Sequence, residues 1–351
     1  MTDKPLSVLV AGLGNMGRSH ALAYHANPGY DVVALVNRSG IVPPGPLEAY
    51  PLFRTFDEAL AQTRPEIASI NTYSDSHADY AVRAIEAGAH VFVEKPLATT
   101  VADAERVVAA ARANGRKLVV GYILRHHPSW MRLIAEARAL GGPYVFRMNL
   151  NQQSSGATWE THKQLMETTS PIVDCGVHYL DVMLQITDAR PVEVRGMGVR
   201  LSEEIAPEMY NYGHLQVLFD DGSVGWYEAG WGPMMSEAAF FVKDVISPNG
   251  AVSIVMDDKA RSDDMDAHTK TNLIRVHRAA TVDGRFRTPD EMLSMSGEPD
   301  HQALCDREQA FLLAAVREDL DLSRHMDDAV RSLAVCLAAD QSVRTGLPVR
   351  L

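Results

Sequence analysis

The 351 residues predict a doubly wound α/β domain over residues 1–123, followed by an α+β domain with a large, mostly antiparallel sheet over residues 124–351. Three observations carry that prediction. The length exceeds the roughly 250–300 residues at which a single core stops growing. Short β-rich runs alternate with helical patterns as far as Tyr122. Beyond that point extended runs succeed one another with turn signals between them, which places the boundary near Leu124.

Ser7–Ala11 is an apolar, β-rich run, followed by Gly12-Leu13-Gly14-Asn15-Met16-Gly17 and a helical pattern to about His25. This is GxGxxG in the setting that gives it meaning, after a strand and opening a helix. The first glycine permits the tight turn, the second admits a pyrophosphate to the backbone, and the third lets helix pack on strand. Helix amide donors and the positive end of the dipole complete an anion site. A dinucleotide is therefore expected on Gly12, Gly14, Asn15, Met16 and Gly17. The next strand, Asp31–Val36, ends at Asn37-Arg38-Ser39, where an NAD site carries an acid for the ribose hydroxyls. Asn37 and Ser39 offer hydrogen bonds and Arg38 a cation, so NADP(H) is favoured over NAD(H), which the same turn would also admit.

The alternation continues with strands at Ile67–Thr72, Ala89–Glu94 and Leu118–Tyr122. Helices are expected at Ser76–Ala87, capped by Ser74 or Asp75 and closed by Gly88, and at Val101–Asn114, ended by Gly115. Such units make a parallel sheet with right-handed crossovers, and ligands sit at the carboxyl ends of its strands. Thr72, Tyr73, Ser74 and His77 follow one strand, and Glu94 and Lys95 follow the next, so both groups face the cofactor crevice. Pro96 has no amide hydrogen, stops the ladder and fixes the backbone that aims Lys95.

In the second domain a helix is expected at Ser129–Leu140. Extended runs follow at Tyr144–Gln152, Val192–Val199, His214–Phe219, Val224–Trp231, Ala239–Ile246 and Ala251–Met256. Asp220-Asp221-Gly222 is a hairpin turn, because glycine supplies its positive φ. Two helices, about His301–Val316 and Asp327–Ser342, close the chain. The helix Pro171–Leu184, PIVDCGVHYLDVML, places Asp174 and His178 four apart on one face, with Asp181 three further along the same side. A carboxylate that orients an imidazole is what general acid–base work needs. Two loops, Gln152–Gln164 with Trp159 and Trp231–Ala238, are rich in hydrogen-bonding and aromatic groups, which suits a polyhydroxylated ring.

Net charge −12 argues against a nucleic-acid or membrane-surface partner. No run approaches the ~20 apolar residues of a membrane span, and MTDKPLSVLVAG enters a strand without the pattern of a secretory signal. Cys175, Cys305 and Cys336 are unclustered, which fits a reduced cytoplasm. His126, His127, His162 and His178 lack the compact spacing of a zinc site, so no metal is expected.

GLGNMG, HVFVEKPLA and DCGVHYLD, in this order and spacing, resemble the Gfo/Idh/MocA family of glucose–fructose oxidoreductase and inositol dehydrogenase relatives. The resemblance covers essentially the whole chain. It implies a Rossmann domain, an open-faced sheet domain, and NAD(P)-dependent oxidation or reduction of a sugar or polyol. It also implies catalytic roles for Lys95, Asp174 and His178, and a substrate-side arginine at Arg125, followed here by His126 where the family has an aromatic residue. Trp159 joins these as a substrate contact. An open sheet face must be covered, and Trp226, Phe240, Val242, Val252 and Ile254 are the expected facing residues of a homodimer or homotetramer. The alternatives are a dinucleotide-binding regulator without turnover, or a reductase of a non-sugar carbonyl.

Overall fold

LSVLVA at Leu6–Ala11 forms β1, and its continuous apolar character is that of a strand buried on both faces. The computed structural model describes residues 4–42, 44–236, 241–255, 261, 263 and 271–351. After β1 come α1 (Asn15–Ala26), β2 (Tyr30–Val36), β3 (Leu52–Phe53), α2 (Phe56–Thr63) and β4 (Ile67–Ile70). Then follow α3 (His77–Glu86), β5 (His90–Val93), α4 (Val101–Ala113) and β6 (Leu118–Val120). The six strands are parallel in the order β3-β2-β1-β4-β5-β6. The order reverses between β1 and β4, which is where a sheet of this kind opens its ligand crevice. β3 and α2 are absent from the sequence reading, because two strand residues and an eight-residue helix carry too little periodicity. The helix expected from Ser76 begins at His77, after a short 3₁₀ turn over Ser74–Ser76, with no side-chain cap.

The second part contains α5 (Pro128–Leu140), β7 (Val145–Gln153), α6 (Gly156–Leu165), α7 (Pro171–Ile186), β8 (Pro191–Val199), β9 (Tyr212–Phe219) and β10 (Val224–Gly232). It continues through β11 (Lys243–Ser247), β12 (Gly250–Val255), β13 (Leu273–Arg278), β14 (Thr281–Val282), β15 (Arg285–Phe286) and β16 (Glu291–Ser294). The helices α8 (His301–Arg317) and α9 (Ser323–Thr345) and the strand β17 (Val349–Arg350) end it. Among the described residues nine strands form one sheet, β16-β13-β12-β11-β7-β10-β9-β8-β17, antiparallel except where β7 meets β10. Gly222, with φ +86°, makes the expected turn between β9 and β10. The Gln152–Gln164 loop contains α6, and the expected Ala239–Ile246 strand starts at Lys243, with Ala239 and Phe240 outside the described residues.

Two compact units divide the chain as residues 1–123 with 301–330, and 124–300 with 331–351. Residues 301–330 thus group with the parallel sheet, where the sequence reading places them in the second domain. The cause is packing: Leu312, Ala315 and Leu322 share a core with Val8, Val10, Tyr24, Leu35 and Phe92.

Val252 and Ile254, expected on the open sheet face, are buried. Both alternate inward on β12, and Val252 pairs with Val245 and Val276, which are also buried. The opposite phase carries the exposed apolar residues Val145, Met197, Leu218 and Val224, with Val224 paired to both Leu218 and Val145. Trp226 and Val242 are half-buried, and Phe240 lies outside the described residues.

β11 also places Lys243 in the core at 2% exposure, with Nζ 4.6 Å from the Phe241 ring centroid and 5.3 Å from that of Trp130. Burial drives its pKa down to about 7, against a smaller opposing pull from Glu298. The folded state therefore binds fewer protons than the unfolded chain between pH 7 and the ordinary lysine value, so stability falls as pH drops through that window. Lys243→Met is expected to raise the melting temperature more at pH 7 than at pH 10; an equal gain at both would contradict a neutral amine.

Candidate active site

The first unit builds a dinucleotide cradle from the ends of β1, β2, β4 and β5. Gly12 has φ +85°, and a Cβ there would lie 2.3 Å from the Asn71 carbonyl oxygen. At Gly17 a Cβ would lie 2.1 Å from the Gly12 carbonyl oxygen. Two glycines thus fold the turn against β4 and α1. At Gly14 a Cβ would meet nothing within 4 Å. That glycine caps α1 without a side-chain partner, and no acid stands in the first turn. Open space before bare helix amides fits a pyrophosphate. Asn15 and Met16 are the first residues of that helix.

At the end of β2 the Asn37 side chain donates to the Ile41 carbonyl at 2.6 Å, and Ser39 Oγ accepts from the Ile41 amide at 3.2 Å. Both hold their own loop. Arg38 is exposed, and a second arginine reaches the same loop: a Cβ at Gly40 would be 2.8 Å from Arg54 Nη2. Arg54 follows β3, which is why the sequence reading missed it.

After β4, Thr72 Oγ1 and Ser76 Oγ are 2.7 Å apart, Ser74 is buried, and Tyr73 is 47% exposed. His77 is buried between two carbonyl oxygens, with Nδ1 2.8 Å from that of Pro96 and Nε2 2.9 Å from that of Thr72. Burial lowers its pKa more than the two carbonyls raise it. His77 therefore straps the Lys95-Pro96 turn to the turn after β4. Glu94 points into the interior at 5% exposure, with Oε2 accepting from the Lys95 amide at 3.0 Å and Oε1 2.7 Å from His20 Nε2. It holds the turn from which the half-buried Lys95 projects.

In the second unit α7 carries Asp174 and His178. Ser170 caps it by accepting from the Val173 amide at 3.1 Å, and Pro171 occupies the first turn. Ser170 Oγ donates to Asp340 at 2.7 Å, and the Tyr210 hydroxyl contacts both. Gly176 lets α7 sit close, since a Cβ there would be 3.1 Å from the Tyr227 ring and 3.2 Å from Cys336 Sγ. Asp174, 7% exposed, lies in the first turn, where the helix dipole favours a carboxylate. His178 is the half-buried position in an otherwise apolar stretch of α7.

Around Asp174 stand Cys175 of the same helix and polar groups from the expected Gln152–Gln164 and Trp231–Ala238 loops. Cys175 Sγ is 3.6 Å from Asp174 Oδ2 and 3.7 Å from Gln152 Oε1. Gln152 Oε1 accepts from Trp231 Nε1 at 2.7 Å. The Trp231 ring stacks on His162 at 4.4 Å, and His162 Nδ1 is 2.9 Å from Ser154 Oγ. Trp159 is buried at 5% exposure on α6. Arg125 makes a two-pronged ion pair with fully buried Asp181, Nε lying 2.8 and 3.1 Å from its two oxygens, and Gln185 donates to the same carboxylate at 2.9 Å. The ion pair ties the guanidinium to α7. No helix among the described residues is long and apolar enough to cross a membrane.

Residues 6–122 match the family described as "Oxidoreductase family, NAD-binding Rossmann fold", and residues 130–240 match the "GFO/IDH/MocA C-terminal domain". Inositol 2-dehydrogenase of Acidothermus cellulolyticus is 28% identical over 223 residues, 60% of this chain and 62% of that protein. The same-named protein of Paracoccus denitrificans is 30% identical over 205 residues, 56% of this chain and 59% of that one. The aligned residues thus span less than two thirds of these relatives. Aldose-aldose oxidoreductase from Caulobacter crescentus, solved with glycerol, superposes with a TM-score of 0.76 at 22% identity, covering 99% of this chain and 100% of that one. Apo scyllo-inositol dehydrogenase from Lactobacillus casei superposes with a TM-score of 0.77 at 17% identity, covering 100% and 99%. At these identities the structural likeness speaks for the fold. With its parallel-sheet domain and its second domain both matched, the chain belongs to the Gfo/Idh/MocA family of oxidoreductases.

Proposed function

We propose that this protein uses NAD(P) to oxidise a hydroxyl-bearing carbon, or reduce the matching ketone, of a sugar, sugar derivative or polyol. The observation that carries this reading is Asp174 and His178 one turn apart on a buried helix, in a family member whose β5 is followed by Glu94-Lys95. Relatives named inositol 2-dehydrogenase support a polyol as substrate class. The bound dinucleotide supplies hydride transfer. Everything else falls to side chains of this chain. His178 accepts the hydroxyl proton during oxidation and returns it during reduction. Lys95 donates a hydrogen bond to the same oxygen and stabilises its developing negative charge. Asp174 fixes the imidazole's orientation and favours its charged form. Gln152, His162 and Trp231 line the same part of the second unit and suit hydroxyl groups on a ring. A screen of monosaccharides and polyols, read by reduced-nicotinamide absorbance, tests the proposal. Tight dinucleotide binding without turnover of any of them would favour a regulatory protein.

For the dinucleotide, Arg38 and Arg54 beside the β2 loop favour a 2′-phosphate. NADP(H) is expected to bind at least as tightly as NAD(H). Arg38→Ala with Arg54→Ala is expected to weaken NADP(H) and leave NAD(H) nearly unchanged, and Asn37→Asp to shift preference towards NAD(H). Equal losses for both dinucleotides in paired titrations would refute a 2′-phosphate role.

A homodimer or homotetramer formed through the exposed face of the nine-stranded sheet covers Val145, Met197, Leu218 and Val224. Sedimentation at micromolar concentration checks this, and Leu218→Lys with Val224→Lys is expected to give monomer. A monomeric parent protein would rule the assembly out.

A further inference from the structure

The core of the first unit encloses three side chains that the proposed hydride chemistry leaves unused. Cys305 and Glu308 stand three apart on one face of α8, and His20 projects from α1. Their sulfur, carboxylate and imidazole atoms lie within 4.8 Å of one another, at exposures of 0, 1 and 0%. Neither carboxylate oxygen of Glu308 has a hydrogen-bond partner among the described residues. A buried carboxyl group in that condition is costly.

His20 is arranged as a ligand with an outer partner. Its Nε2 lies 2.7 Å from Glu94 Oε1, so Nε2–H donates to a carboxylate and Nδ1 carries the lone pair. That pairing is the one that orients metal-bound imidazoles. Nδ1 accepts from Gln309 Nε2 at 2.9 Å, and an ion bound at Nδ1 takes the place of that donor.

We propose that His20, Cys305 and Glu308 bind a divalent transition ion of zinc-like preference inside the dinucleotide-binding unit. Imidazole, thiolate and carboxylate together suit a borderline ion better than magnesium or calcium. Bonds of ~2.0–2.3 Å at tetrahedral angles set ligand atoms about 3.3–3.8 Å apart, so the three side chains close by about 1 Å. His301 Nε2 lies 3.7 Å from Cys305 Sγ, one turn earlier on α8 and outside the three-residue cluster. Burial raises the pKa of Glu308 and of the Cys305 thiol, with Glu94 adding to both, and a dication reverses this by holding both groups as anions. The enclosed position means the ion enters as the unit folds. Its role is structural: it pins α8 to α1 and, through Glu94, steadies the turn that carries Lys95.

The test is the metal content of the full chain produced in minimal medium with added zinc or cobalt and purified without chelator. The expected result is about an equivalent of metal per chain, a thiolate-to-cobalt charge-transfer band in the cobalt form, and a lower melting temperature after chelation. Cys305→Ser should remove the band, and Glu308→Gln should cut the retained metal, each in protein of native circular dichroism. Only trace metal in both preparations would overturn the proposal, as would a band that persists in Cys305→Ser. Should both variants fail to fold, the metal content and spectrum of the parent protein decide alone.

Discussion

His178→Ala is expected to lower turnover by ~10²–10⁴-fold, the usual contribution of a positioned general base, while dinucleotide affinity stays within a factor of about two. Lys95→Ala should cost ~10²–10³-fold, as does removing one donor from a developing oxyanion. Asp174→Asn should fall between the parent and His178→Ala, because the shape is kept and the tautomer preference is lost. The paired change at Lys95 and His178 should cost less than the two single losses multiplied, since residues that act on one oxygen are not independent. Steady-state kinetics on the substrate found by screening, with dinucleotide titration as control, measures all four. Near-native turnover in Lys95→Ala would make the lysine structural and remove the mechanism.

Gly17→Ala is expected to damage stability and binding together. Its methyl group would sit 2.1 Å from the Gly12 carbonyl oxygen and 2.8 Å from the Gly12 carbonyl carbon, both main-chain atoms that cannot turn aside. Overpacking of this kind costs ~1–3 kcal/mol, which as lost binding is about 5–150-fold in Kd. Gly14→Ala is the discriminating control. Its methyl group meets nothing within 4 Å, so the melting temperature should hold while dinucleotide affinity falls. Thermal melts and fluorescence titrations of both variants read the two effects. Unchanged affinity in Gly14→Ala would show that the open space beside that glycine is not where the pyrophosphate lies.

The parts of this protein legible in its sequence are those whose signal is local. The glycine turn, the order of the βαβ units and the Asp174–His178 spacing each occupy fewer than ten consecutive residues or repeat at one period. The outward phase of β12 was not legible: a one-residue error in alternation exchanges the two faces, and Val252 and Ile254 fell on the wrong side of it. Contacts between distant segments were also beyond reach. Arg54 meets the Gly40 loop only because β3 pairs with β2. Arg125 finds Asp181 only once α7 is in place, and His20 meets Cys305 only because α8 packs on the parallel-sheet core. The polar cluster of Gln152, Ser154, His162 and Trp231 lay in stretches recognised by composition, and composition says nothing about which groups will meet.

The grouping of residues 301–330 with the parallel sheet has a consequence for how the protein is made. Synthesis delivers the six strands before the larger sheet, but Leu312, Ala315 and Leu322, which complete their core, emerge only after eight of the nine strands of that larger sheet have been translated. Domains whose residues are contiguous can finish folding on the ribosome in order. Here the parallel sheet waits on α8, so the nascent chain carries an apolar surface around Val8, Val10 and Tyr24 until that helix is made. A chain released early, at residue 300, would keep that surface exposed, and chaperone capture of such truncated products is the expected trace of it.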